Sequence, residues 1–340
     1  MSEGFQHATP VSIPYATLIS SSIPLDTLEQ AFGPTSLGIL VVTDLPQHFS
    51  DLRKKLLSYA SLLGRLPKET LEKYELPEKN FLVGWSCGKE RLGNGEIDKL
   101  KGSWYANVGE GGREGNVWVD EDVEKNMKGF RITMEELCHF IVDTAKLVAR
   151  ACDTFSAAHI PDYTPSFLES MIADSQTTKA RLLHYYPSDE APTSADSWCG
   201  THLDHGCLTG LTSALWTDES TLSDKAKADD IVELDSAPDP EAGLYIHGRD
   251  GALYKVGIPR NGLGFQTGEA LEKITRGGLK AVPHFVKGTR PGVGLESNPG
   301  AKIARNTLAV FTQPNLDVKV DGEKTFEVFQ REIIERNTTY

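Results

Sequence analysis

The segment CGTHLDHGCLTG, residues 199–210, places two histidines and one carboxylate within four positions. An extended strand points residues i and i+2 to the same face. If this segment is extended, His202 and Asp204 project together, whereas His205 points to the opposite face. An imidazole and a carboxylate directed at one point would supply two ligands of a metal site. Alone, the pair is equally compatible with a structural hydrogen bond within a sheet.

A third ligand would have to come from a distant strand. Of the nine histidines, His284 is the best candidate because it lies in the apolar, strand-like segment LKAVPHFVKG. Two histidines and one carboxylate form the facial triad of non-haem Fe(II) oxygenases, which leaves metal positions open for a co-substrate and O2. We therefore predict His202, Asp204 and His284 as catalytic metal ligands. For His205 we predict a structural or supporting role.

A second candidate group lies in the late segment IARNTLAVFTQP. Arg305 stands there among small and apolar residues, and a buried arginine usually has an anionic partner. Thr307 follows two positions later and would share its face in a strand. A guanidinium and a hydroxyl together suit a carboxylate ligand. The alternative is that Arg305 forms an ion pair with a nearby Asp or Glu.

The elements that would position these groups change character along the chain. The strand pattern LGILVVTDLP, from Leu37, runs into a helix pattern with Ser50 as its N-cap. A longer helix is predicted from Thr133, where Thr133 and Glu136 match a capping box. After about residue 178 the chain consists of short strand patterns separated by Gly, Pro or charged loops, which is typical of an antiparallel jelly roll or barrel.

Composition excludes several classes of function. The 340 residues carry 35 Lys and Arg against 48 Asp and Glu, a net charge of −13 that disfavours nucleic acid and anionic membranes. No apolar run reaches the length of a membrane span, and the N-terminus lacks the pattern of a secretory signal. The five cysteines form no CxxC pair, which favours reduced thiols in the cytoplasm. The glycine-rich segment 109–115 lacks the third glycine of a dinucleotide motif and is predicted to be a flexible loop.

In its motif order, the chain resembles the 2-oxoglutarate/Fe(II)-dependent dioxygenases of the isopenicillin N synthase-like superfamily. The resemblance covers most of the chain and depends on YYP, HxDHG-x-LT, a late histidine and RxT, in that order. It implies an α+β fold, with a double-stranded β-helix (jelly-roll) core, flanking helices and a mixed N-terminal layer. The corresponding regions are an N-terminal α/β layer with loops at 1–130, a helical support at 131–177 and the jelly-roll oxygenase core at 178–340. We expect these regions to form one integrated domain.

The resemblance also implies an activity. His202, Asp204 and His284 would bind Fe(II), while Arg305, Thr307 and Tyr186 would bind 2-oxoglutarate as co-substrate. With O2 as oxidant and ascorbate in support, the enzyme would hydroxylate, desaturate or cyclise a small organic metabolite and release succinate and CO2. No nucleic acid, membrane or obligatory protein partner is expected.

Three other hypotheses remain open from the sequence. The first is a 2-oxoglutarate-independent Fe(II) oxidase of the same fold. The second is a non-catalytic relative that binds a small molecule. The third is a cupin-type isomerase or hydrolase that holds another metal, for which Arg305 would have no use.

Overall fold

A computed structural model describes residues 4–91, 95, 97–190 and 198–338. Its helices are α1 Tyr15–Ile19, α2 Leu25–Phe32, α3 Gln47–Gly64, α4 Lys68–Leu71, α5 Glu121–Glu124, α6 Phe130–His159, α7 Phe167–Ala173, α8 Glu269–Ile274 and α9 Phe326–Thr338. Its strands are β1 Phe5–Ala8, β2 Val11–Pro14, β3 Ile39–Thr43, β4 Gly84–Cys87, β5 Lys101–Asn107, β6 Lys179–Tyr185, β7 Cys199–His202, β8 Leu208–Thr212, β9 Leu215–Asp218, β10 Gly243–His247, β11 Leu253–Val256, β12 Leu263–Thr267, β13 His284–Lys287, β14 Ile303–Phe311, β15 Lys319–Asp321 and β16 Lys324–Thr325.

Two large sheets dominate the described part of the chain. The smaller has the order β1-β11-β10-β13-β7, and the larger has the order β2-β3-β12-β8-β14-β6-β5-β4, with β9 also paired to β14. Most pairs are antiparallel, as the late strand patterns predict. The α+β class predicted from the sequence is confirmed.

The N-terminal strands belong to both sheets. β1 runs parallel to β11 at the edge of the smaller sheet, and β2 runs parallel to β3 at the edge of the larger one. The strand predicted around LGILVVTDLP is β3, which is buried over most of its length because it lies between β2 and β12. The N-terminal layer is therefore continuous, by backbone pairing, with the strands of the C-terminal half.

Helix α6 lies along the main hydrophobic core. It buries Leu137, Ile141, Ala145, Val148 and Cys152 completely or nearly so, and these are the residues of its predicted apolar face. Helix α3 packs beside it and also contacts β14 and β6 of the larger sheet. The two helices cover the outer side of the sheet that carries Arg305.

Two helix starts were predicted too late in the sequence. Helix α6 begins at Phe130 after Gly129, which adopts φ +78°, so Thr133 lies inside the helix. Its hydroxyl donates to the Gly129 carbonyl at 2.9 Å instead of capping the helix. Helix α3 begins at Gln47, directly after Pro46, rather than behind Ser50. Proline lacks an N–H and has a fixed φ, so it is well suited to a helix start.

The segment predicted as a flexible loop at 109–115 is largely a 3-10 helix, Glu110–Gly115. Gln176 accepts a hydrogen bond from the Gly111 amide, and a Cβ at Gly109 would lie 2.5 Å from the Ser175 carbonyl oxygen. The glycines therefore permit close backbone packing. All five cysteines are free thiols. None of the described helices combines the length and apolar character needed to cross a membrane.

Candidate metal centre and co-substrate cavity

The three predicted metal ligands lie together at one end of the smaller sheet. His202 ends β7, His284 begins β13, and the two residues face each other in the antiparallel register. Directly opposed residues project to the same face, and the two imidazole centroids are 4.3 Å apart. Asp204 lies two residues beyond the end of β7. Its Oδ1 is 3.7 Å from His202 Nε2 and 3.9 Å from His284 Nε2.

Hydrogen bonds to neighbouring groups orient all three side chains. Thr209 donates its hydroxyl to Asp204 Oδ2 at 2.6 Å, which leaves Oδ1 to face the imidazoles. His202 Nδ1 lies 2.7 Å from the Gly200 carbonyl oxygen, and His284 Nδ1 lies 3.2 Å from that of Val282. An Nδ1–H bonded to a carbonyl leaves the Nε2 lone pair available to a metal.

Burial and neighbouring charges act differently on the two imidazoles. Burial and the adjacent His202 lower the pKa of His284 to about 4. Burial also opposes charge on His202, but Cys199 and Asp204 outweigh it and raise the pKa of His202 above its ordinary value. Although His202 lies deep in the fold, its side chain is 40% exposed because it borders a cavity.

The three donor atoms suit a single cation. The ligand nitrogens and the carboxylate oxygen all lie within 4.8 Å of one another, and no other such cluster of His, Cys, Asp or Glu occurs in the described part of the chain. The set of two nitrogens and one oxygen matches a facial triad for a transition metal such as iron. His205 points elsewhere, with Nδ1 3.5 Å from Glu269 Oε2.

A cavity of about 320 Å³ connects the triad to Arg305 and Thr307. It is lined by residues of both sheets, including Leu211 of β8 and Val286 of β13. Arg305 is only 8% exposed, and no described residue accepts a hydrogen bond from its Nε or Nη1. Burial lowers the pKa of Arg305, since no carboxylate among the described residues forms an ion pair with it.

Aromatic rings surround the Arg305 guanidinium. Its Cζ lies 4.9 Å from the ring centroid of Tyr185 and 5.9 Å from that of Trp216. Trp198 stacks on Tyr185 with the ring centroids 5.2 Å apart. Cation–π contacts stabilise the guanidinium but leave its hydrogen-bond donors unused. The arrangement combines a buried cation with an apolar wall.

Tyr186 does not line this cavity, which corrects the prediction for that residue. Residues on β6 alternate between the two faces of the sheet, and the residue opposite Arg305 is Tyr185. The Tyr186 hydroxyl instead donates to the Gly64 carbonyl of α3 at 3.1 Å. The family pattern does not say which of the two tyrosines faces the cavity. The pairing of β6 with β14 assigns that position to Tyr185, which lies opposite Arg305.

Sequence reasoning also missed two cavity residues, Thr209 and Arg181. Thr209 is the last residue of the HxDHG-x-LT motif, and its position there was the available signal. Arg181 lies two cavity-facing positions before Tyr185, but the polar contacts that hold it come from residues about 80 to 90 positions away in the chain. No local pattern indicates that pairing.

Comparisons with solved structures place the fold among oxygenases. A 2OG-Fe(II) oxygenase family protein from Caulobacter crescentus superposes with a TM-score of 0.68 at 19% identity, covering 96% of this chain and 99% of that one. A full-length Neurospora crassa protein in complex with alpha-KG and 5-formyluracil gives 0.66 at 17% identity, with 98% of both chains covered. The structure of JOX2 in complex with 2OG, Fe and JA gives 0.65 at 14% identity, covering 98% of this chain and 86% of that one. The predicted resemblance is thus confirmed for the fold. No protein-family model matches the sequence, and neither does any curated protein.

Proposed function

We propose that this protein is an Fe(II)- and 2-oxoglutarate-dependent oxygenase that oxidises a small organic molecule and releases succinate and CO2. The observation that carries the proposal is the Arg305 guanidinium, whose Nε and Nη1 find no acceptor among the described residues, in the same cavity as His202, Asp204 and His284. A metal-binding triad alone would fit several chemistries. A buried, unbalanced cation at the other end of the cavity calls for an anionic co-substrate.

The residues present fit iron and the co-substrate. Two imidazoles and one carboxylate suit Fe(II), which would activate O2 when it is bound together with 2-oxoglutarate. Arg305 would bind the carboxylate remote from the metal, and Thr307, on the same face of β14, would donate a further hydrogen bond. Tyr185 takes the place first predicted for Tyr186. Its role would be to hold the Arg305 guanidinium from the side.

The structural neighbours support a small-molecule substrate. One of them was solved with 5-formyluracil and alpha-KG, and another with JA and 2OG. A cavity of about 320 Å³ has room for compounds of this class. We interpret the two sheets as the walls of a double-stranded β-helix, into which residues 1–130 and 131–177 are integrated as one domain. The pairing of β1 and β2 with later strands supports this interpretation.

The proposal predicts that metal and co-substrate binding can be removed separately. Asp204→Ala should abolish succinate formation and Fe(II) binding, because the triad then keeps only its two imidazoles. Arg305→Leu should keep Fe(II) binding but raise the KM for the co-substrate roughly 10- to 100-fold, the effect of losing a hydrogen-bonded charge. Succinate is measured with Fe(II), 2-oxoglutarate, ascorbate and a metabolite library.

Matched controls come from the mouth of the same cavity. Asp235→Ala and Arg260→Leu remove an exposed acid and a half-exposed arginine that pair with each other, and both should keep the wild-type requirements. A 2-oxoglutarate-independent oxidase would turn over substrate with no succinate release. A non-catalytic relative would bind a small molecule without consuming 2-oxoglutarate. Either result, or full activity of Asp204→Ala, would contradict the proposal.

A further inference from the structure

We propose that Arg181 binds the primary substrate, and that the group it binds is a neutral carbonyl oxygen, as in a ketone, an amide or a lactam. The inference rests on the proposed function and adds the substrate class. It depends on a difference between the two arginines of the cavity. No described carboxylate balances the charge of Arg305, whereas Arg181 is already balanced by a carboxylate.

Arg181 faces the cavity close to the candidate metal centre. In the larger sheet, Arg181 of β6 lies opposite Ala309 of β14, and Ala309 in turn lies opposite Leu211 of β8. All three residues line the cavity. Thr209, which bonds the metal-binding carboxylate, is the next cavity-facing residue on β8, roughly 7 Å along the strand. Arg305 lies two cavity-facing positions beyond Ala309 in the other direction. Arg181 is thus placed nearer to the metal end of the cavity than Arg305 is.

The guanidinium of Arg181 is fixed from behind. Its Nε donates to Ser103 Oγ at 3.0 Å, and its Nη2 donates to Glu90 Oε1 at 2.5 Å. The Tyr105 ring lies 4.9 Å from its Cζ. No described residue accepts a hydrogen bond from Nη1, and Nη1 is not among the buried unpartnered atoms. A fixed arginine with one accessible donor nitrogen is preorganised to bind an oxygen atom.

The surrounding charges are balanced. Glu90 also contacts Lys101 Nζ at 3.0 Å, and Asp98 contacts the same Nζ at 2.6 Å. Among the described residues the cluster therefore contains two cations and two carboxylates. The side chains of Lys101 and Asp98 are 4% and 2% exposed, and that of Glu90 is 42% exposed. A carboxylate ligand would add a third negative charge to this balanced group and lose its hydration. A neutral carbonyl accepts the Nη1 hydrogen bond without that cost.

The first test uses matched neutral and acidic compounds. Nicotinamide with nicotinate, benzamide with benzoate, and a set of lactams and cyclic ketones are added to the Fe(II) enzyme, and succinate formation above the rate without added compound is measured. We expect neutral carbonyl compounds to accelerate succinate formation and their matched acids to fail. Arg181→Met should raise the KM for the best neutral compound at least tenfold, while the KM for the co-substrate should change less than twofold.

A second variant tests the charge argument directly. Glu90→Gln leaves Arg181 and Lys101 with one carboxylate, so the cluster gains a net positive charge. We expect the preference for neutral compounds over their matched acids to fall at least tenfold in this variant. Glu169→Gln is the control, because Glu169 forms a comparable ion pair with Arg150 at the α6–α7 contact, away from the cavity. Thermal unfolding verifies that each variant is folded.

The inference is overturned if matched acids accelerate wild type and Arg181→Met equally, or if no neutral carbonyl compound accelerates wild type. It is also overturned if Glu90→Gln leaves the preference unchanged. Failure of the proposed function gives a different result: wild type binds Fe(II) but consumes no 2-oxoglutarate with any compound. In that case saturation-transfer NMR with the same pairs measures whether the neutral compounds still bind through Arg181.

Discussion

At the scale of single residues, the candidate metal centre depends on hydrogen bonds made by atoms that face away from the metal. Thr209 occupies Asp204 Oδ2, and backbone carbonyls occupy Nδ1 of both imidazoles. Each bond selects which atom remains for a cation. Such supporting contacts commonly change metal affinity 10- to 100-fold when they are removed.

Thr209→Val should therefore weaken Fe(II) binding by roughly 10- to 100-fold without loss of the fold. The substitution keeps the side-chain shape but removes the hydroxyl that fixes the Asp204 carboxylate. Affinity is measured by competition with a coloured chelator under anaerobic conditions. Thr217→Val is the matched control, because the Thr217 hydroxyl is buried and no described residue forms a hydrogen bond with it. Equal affinities for both variants would show that Thr209 has no orienting role.

The sequence predicted the grouping of His202, Asp204 and His284, but it did not predict how they are brought together. The strand period placed His202 beside Asp204, although β7 ends at His202. The choice between Tyr185 and Tyr186 could not be made from the sequence. It depends on a register between β6 and β14, whose residues are more than a hundred positions apart. Sequence patterns show which residues of one strand share a face. They do not show which residues of two distant strands lie opposite each other.

At the scale of elements, a buried ion pair joins helix α3 to the segment that precedes β10. Arg53 is 1% exposed, donates to both carboxylate oxygens of Glu233 at 3.2 and 2.7 Å, and also donates to the carbonyls of Ser213 and Ala214. Glu233 lines the cavity and lies 3.4 Å from Arg260. The helix thereby fixes one side of the cavity mouth.

Arg53→Met should lower the free energy of unfolding by about 3 kcal/mol, because it leaves the Glu233 carboxylate and two carbonyls without their principal partner. The double variant Arg53→Met/Glu233→Gln should recover part of the loss. Urea unfolding measures both. Arg65→Met is the control, since Arg65 is exposed and, among the described residues, donates a hydrogen bond to the Leu222 carbonyl alone. A loss equal to that of Arg65→Met would mean that the buried pair contributes nothing.

The sequence predicted the type of these elements correctly but placed the starts of two helices too late. The apolar spacing located α3 and α6, but both helices begin three residues before the predicted caps. At these sites Pro46 and Gly129 start the helices, and no side chain caps them. The 3-10 turn at Glu110–Gly115 was missed because its support comes from Gln176, which is distant in the chain.

At the scale of the whole molecule, the described part of this chain of net charge −13 buries three cationic side chains. Arg53 and Lys101 are paired with carboxylates, and Arg305 lines the cavity. Glu90 is the carboxylate that joins Arg181 to Lys101. Burial alone would raise the pKa of Glu90, but Arg181 and Lys101 outweigh it and lower the pKa to about 2. Ionised Glu90 therefore stabilises the folded state.

This stabilisation should be fully present above about pH 4.5 and should disappear as the pH falls toward 2. The reason is that the Glu90 carboxylate binds a proton less tightly in the folded state than in the unfolded chain. The measurement is the difference in free energy of unfolding between wild type and Glu90→Gln at pH 7, 4 and 3. The difference should shrink with acidification. Glu323→Gln, which removes a 90% exposed carboxylate, should show no such trend. A constant difference for Glu90→Gln would refute the assignment.

The first two strands of the chain connect the two sheets that line the cavity. β1 and β2 are separated only by Thr9 and Pro10, yet each is the outermost strand of a different sheet. The ten residues 5–14 thus connect the edge strands of both sheets. Removal of residues 5–14 would expose the edges of β11 and β3 simultaneously, so a short N-terminal cleavage would create two aggregation-prone sheet edges and loosen the cavity that β11 lines.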